Sequence, residues 1–162
     1  MKIKKISHPF WQALGIGTLA GMRTSSAPAI TSQILSHHQS KALKKSPLNF
    51  MQSKTVANTL AFLTVGEVII DKLPSTPNRI KPAGFTFRCL SGALAGASIY
   101  KATGGNVLTG ALLGSASAAA STYLSFILRK NAVKKTKIFD PIIGAIEDAL
   151  VMGAGVGLIQ IA

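Results

Sequence analysis

The sequence predicts an all-α, polytopic transmembrane bundle of about five Gly/Ala-rich helices, and three observations carry that prediction. Apolar residues make up 48% of the 162-residue chain and charged residues only 14%, against about 25% charged in soluble domains. The apolar residues gather into five runs, each near the ~20 residues that cross ~30 Å of hydrocarbon. All five acidic residues, Glu67, Asp71, Asp140, Glu147 and Asp148, fall in or at the ends of those runs, set against eighteen Lys and Arg. A carboxylate in hydrocarbon costs roughly 2.5–3.5 kcal/mol on insertion scales, so a buried one faces a partner or a polar cavity.

The length fits a single domain, residues 1–162. The first run covers residues 9–34. A basic start at 1–5, an apolar stretch at 10–22 and Ala27-Pro28-Ala29 outline a secretory signal peptide. Arg23 ends that stretch, Pro28 sits inside the would-be cleavage site, and membrane-like sequence comes after it, so the segment is read as a retained helix. Pro28 removes a backbone donor and disturbs the carbonyl of Thr24, so this helix is expected to break near residues 23–28. Thr24, Ser25 and Ser26 can re-satisfy the freed backbone groups.

The second run, 55–70, is the shortest. The third, 83–100, opens with Pro82, a favoured first-turn residue. The fourth, 106–128, follows the Gly104-Gly105 turn and ends at Arg129-Lys130, and the fifth, 138–162, carries Pro141 in its first turn. With five full spans, an inner N-terminus places twelve Lys and Arg inside against five outside, which favours N-inside and C-outside. Ranked second is a re-entrant hairpin in the first run, which carries the lysines of 41–54 to the N-terminal side and makes the count about even.

Small residues recur every fourth position at Gly17/Gly21, Gly92/Gly96, Gly110/Gly114 and Gly153/Gly157, a glycine-zipper spacing that lets helix backbones approach closely. It serves the bundle itself or a homo-oligomer. Residues 90–97 match 108–115 almost position for position on consecutive helices. An inverted internal repeat explains this, as does generic small-residue packing.

The charged positions are the candidate site. Glu67 and Asp71 stand four apart on one helix face, with Lys72 next in the chain. Glu147 and Asp148 lie about 14 Å into the fifth run, near the midplane, and diverge by about 100° around the helix. Arg23, about 20 Å into the first run, reaches their depth. Arg88 closes a basic stretch with Lys72, Arg79 and Lys81 that suits a lipid headgroup or a positive-inside loop.

The net charge of +13 sits in clusters between apolar runs without aromatic interleaving, so no nucleic-acid partner is expected. Anionic headgroups are the expected partners of those clusters. The single Cys89 rules out an intrachain disulfide or a multi-cysteine zinc site. His8, His37 and His38 have no carboxylate or cysteine neighbours in sequence, and neither a phosphate-binding loop nor a nucleophile elbow occurs. No metal, cofactor or enzymatic reaction is therefore expected.

The ordered set Gly21-Met22-Arg23, Glu67-x-x-x-Asp71-Lys72-x-Pro74, Pro82-Ala83-Gly84 with Arg88, and Glu147-Asp148 resembles the domain-of-unknown-function family 4126. The resemblance runs over nearly the whole chain and implies a small bacterial membrane protein of several helices, with no reaction attached. From the residues, the leading expectation is an inner-membrane, multi-pass transporter or channel-like protein with a cytoplasmic N-terminus. It would bind a small cation, proton or solute at Arg23, Glu67, Glu147 and Asp148, with Asp71, Lys72 and Arg88 at the inner mouth. The alternative is a non-catalytic structural or lipid-headgroup-binding protein whose ion pairs only hold the bundle together.

Overall fold

The computed structural model describes residues 6, 8–70, 82–136 and 140–162, and every regular element among them is helical. In chain order these are α1 (Pro9–Met22), α2 (Ser26–His37), the short α3 (Lys41–Lys44), a 3₁₀ turn (Pro47–Gln52), α4 (Lys54–Ile70), α5 (Pro82–Ala102), α6 (Val107–Thr136) and α7 (Asp140–Ile161). Val107–Leu128 in α6 and Gly144–Ile161 in α7 are each long and apolar enough to cross a membrane. Only 28% and 22% of those stretches is buried within the molecule, so their leucines and isoleucines mostly point outward. A core helix of a soluble protein is mostly buried; two such exposed apolar helices suggest a membrane protein. α6 runs on past Leu128 through Arg129 and Lys130, because the apolar boundary is no helix stop and Arg, Lys and Ala are strong helix formers.

α1, α5 and α6 form the core of the fold through small residues. A Cβ at Gly92 would strike the Gly114 backbone, and one at Gly96 that of Gly110, so α5 and α6 run antiparallel with backbones in contact. The matched segments 90–97 and 108–115 are thus the two faces of one helix contact. Gly17 sits against Gly114 and Ser117, and Gly21 against Ala118 and Ser121, which makes α1 parallel to α6. Ser121 and Thr122 add hydroxyl bonds from α6 to the carbonyls of Thr18 (2.8 Å) and Gly21 (3.1 Å).

The first apolar run does not cross as one helix, in contrast to the full span over 9–34 ranked first from sequence. α1 ends at Met22, Arg23 is extended (φ −146°, ψ 120°), and α2 runs back in the opposite direction. Side-chain contacts fix this reversal. Leu158 of α7 packs over Gly15 and Asp148 meets Arg23, yet Gly155 meets Ile30, further along α2. Along α5, Ser91 bonds Thr24 at the start of α2, and Ala102 accepts from the Ser40 hydroxyl beyond its end (2.6 Å). At 14 and 12 residues, the arms are about 21 and 18 Å long, each short of ~30 Å. The hairpin carries Lys41, Lys44, Lys45 and Lys54 to the side of the α1 start, and the lysine bias that argued for N-inside vanishes with it.

Pro28 is the third residue of α2, not a kink in a longer helix. Its absent N–H falls among the first-turn donors that a helix leaves unpaired in any case. Beyond α2, Ser40 and Ser46 cap α3 and the 3₁₀ turn, and the Gln52 amide oxygen accepts from the Ser40 backbone (2.6 Å). α4 then runs antiparallel to α2: Met51, just before it, accepts from Ser32, and Glu67, near its end, reaches Thr24 and Ser25.

Candidate functional site

A helix break inside an apolar bundle leaves the last carbonyls of α1 and the first amides of α2 without ladder partners. Charged and hydroxyl side chains from three other helices supply them. On the carbonyl side, the Arg88 guanidinium donates to Gly21 (2.6 Å) and Met22 (3.3 Å), and Ser26 donates to Leu19 and Arg23. A cation here also opposes the negative end of the α1 dipole. On the amide side, the Glu67 carboxylate accepts from the backbone of Thr24 (3.2 Å) and Ser25 (2.9 Å) and from the Ser25 hydroxyl. An anion is thereby placed at the positive end of α2. The Thr24 carbonyl accepts from Ser91.

Arg23 itself, 3% exposed, is paired with Asp148, whose side chain is 11% exposed. Glu147, beside it on α7, is also buried. The four charged side chains of Arg23, Glu67, Arg88 and Asp148 thus converge on the break from α4, α5, α7 and the hairpin. Asp71 and Lys72 lie outside the described residues. Arg88, expected at a mouth, is buried and holds the break together. Asp148 lies eight residues into α7 and Arg88 six into α5, about 12 and 9 Å along, so each stands nearer the middle of its helix than the end.

A cavity of about 380 Å³ opens beside the break, lined by Thr24, Ser25, Pro28, Glu67, Phe87, Leu90, Ser91 and Leu94. Its polar lining is Glu67 with Thr24, Ser25 and Ser91; Pro28, Phe87, Leu90 and Leu94 make the rest apolar. Sequence reasoning missed Ser91, Thr122 and this cavity. An isolated Ser or Thr in a Gly/Ala-rich helix reads as a packing residue, and only the fold aims it at a broken backbone.

A family model described as a domain of unknown function, DUF4126, matches residues 11–161, and the chain belongs to that family. No curated protein and no solved structure matches it.

Proposed function

We propose that this family member is a multi-pass membrane protein, transporter or channel-like, that moves a small ion or solute past the α1–α2 break. α4, α5, α6 and α7 are its spans and the hairpin is a re-entrant element between them. The observation that supports this most is the unwound stretch at Arg23–Ser25, held by Glu67, Arg88 and Asp148 beside a cavity that Thr24, Ser25, Glu67 and Ser91 line in part. Unwound backbone is tolerated at membrane depth where it lines a cavity or is buried in protein, and half-helix ends of opposite dipole there serve as ion and solute sites. A second support lies along the arms. Gln12 on α1 and Thr31 on α2 are fully buried, and their side-chain polar atoms meet no protein partner among the described residues. Such orphans cost about 1–3 kcal/mol each, which a purely structural hairpin would shed by taking apolar side chains.

The rival reading, a structural or headgroup-binding bundle, draws on the same ion pair and caps, which already satisfy the break. Reconstitution separates the two. Purified protein in liposomes should pass protons, sodium or potassium faster than empty vesicles, and Glu147→Gln should abolish or shift that flux while the protein still folds. No flux for any of these ions, with Glu147→Gln merely unfolding, overturns the transport reading in favour of the structural one.

A further inference from the structure

α4 and α5 both pack on α2 but leave a cleft between themselves, and the 380 Å³ cavity lies in that cleft. This volume is within the ~300–1,000 Å³ typical of small-molecule sites. The α5 wall is Phe87, Leu90 and Leu94, about 10 Å of helix, and Phe87 and Leu90 are 63% and 58% exposed. The opening therefore faces sideways, and in a bilayer that direction is acyl chain. Thr24, Ser25, Ser91 and Glu67 are the polar residues that line it, and Glu67 is the one charged residue among them. Three donors use three of the roughly four acceptor positions of its carboxylate, and no basic side chain pairs with it among the described residues.

We propose that this cleft binds a membrane-dissolved amphiphile bearing a protonated amine, which enters sideways from the lipid. The ammonium donates to the free position on Glu67 and opposes its charge, with Ser25 and Ser91 beside it. The alkyl chain lies along Phe87, Leu90 and Leu94. An anionic head would meet the Glu67 carboxylate and be repelled; a neutral one would gain a hydrogen bond without the charge. The site deepens the transport reading by naming its substrate class. It rests on that reading for translocation, though not for binding itself.

The probe is dodecylamine carrying a diazirine in its chain, photolysed with the full-length protein in phosphatidylcholine nanodiscs and mapped by peptide mass spectrometry. Labels are expected on the α5 segment 87–94 and on α4. Unmodified dodecylamine should compete at least tenfold better than dodecanol or dodecanoate, the tenfold being about 1.4 kcal/mol for one charge-assisted contact. Glu67→Gln should erase that preference. Because it also weakens the α2 cap, Leu90→Trp provides the second variant: it fills the cleft, leaves the Glu67 bonds in place and should abolish labelling in a folded protein. Labels elsewhere, equal competition by dodecanoate, or undiminished labelling of Leu90→Trp would overturn the proposal. Labelling with neither ion flux nor protein-dependent transfer of dodecylamine across the bilayer keeps the site and removes transport; flux without labelling removes this proposal alone.

Discussion

The contact between Arg23 and Asp148 is the most stringent energetic test of the break. The guanidinium is 3% exposed and the carboxylate 11%, so neither has water to fall back on when its partner is removed. Arg23→Met leaves a buried carboxylate and Asp148→Leu a buried guanidinium, and each is expected to cost about 3–5 kcal/mol. Exchanging both for apolar side chains removes the two desolvation penalties together, a change that is often close to neutral for buried pairs. Arg23→Met/Asp148→Leu should therefore be more stable than the sum of the singles implies, with a coupling energy of at least about 2 kcal/mol. Reversible unfolding in mixed micelles of dodecylmaltoside and dodecyl sulfate measures all four proteins. Strictly additive losses, with coupling below about 0.5 kcal/mol, would show that the pair does not secure the hairpin.

The geometry sets three further outcomes. Gly92→Val should lose several kcal/mol or fail to assemble, since its Cβ would meet the Gly114 backbone, whereas Gly153→Val, which faces open space, should melt close to wild type. Arg88→Met should lose about 1.5–3 kcal/mol by taking the side-chain donor from the Met22 carbonyl and leaving the Gly21 carbonyl to Thr122 alone, and Arg88→Lys, whose single ammonium can serve both carbonyls as the one Nη1 does, should recover most of that loss, read in the same micelle assay. Pro28→Ala should shift stability by no more than about 1 kcal/mol, because its ring fits a first helical turn; a gain of ~3 kcal/mol would mean that proline strains an interior helix.

How much of the fold and the site was legible in the sequence depends on the range of the contact. Arg23, Thr24, Ser25, Ser26 and Pro28 announce a break by their own chemistry, since a cation, three helix-indifferent polar residues and a proline cannot continue an apolar helix cheaply. The direction taken after the break is a different matter. It is set by Ser40 on Ala102, Gly155 on Ile30 and Glu67 on Ser25, contacts between residues 42 to 125 positions apart, and no local pattern encodes them. The carboxylates stood out because burial is costly for them. Arg23 could be matched to Asp148 by depth, whereas the partners of Glu67 could not be read, because it accepts from backbone amides and a hydroxyl rather than from a basic side chain.

The turn-back at residues 23–25 is the claim on which the site, the cleft and the transport reading all depend. Single cysteines at exposed Lys41, Gly104 and Asn131, in a Cys89→Ser background with an N-terminal tag, can be labelled by a membrane-impermeant maleimide in sealed vesicles of known orientation. Positions 41 and 104 should label from the same side as the tag, and 131 from the opposite side. Labelling of position 41 from the side opposite the tag would mean that the first apolar run crosses outright, and the hairpin would be wrong.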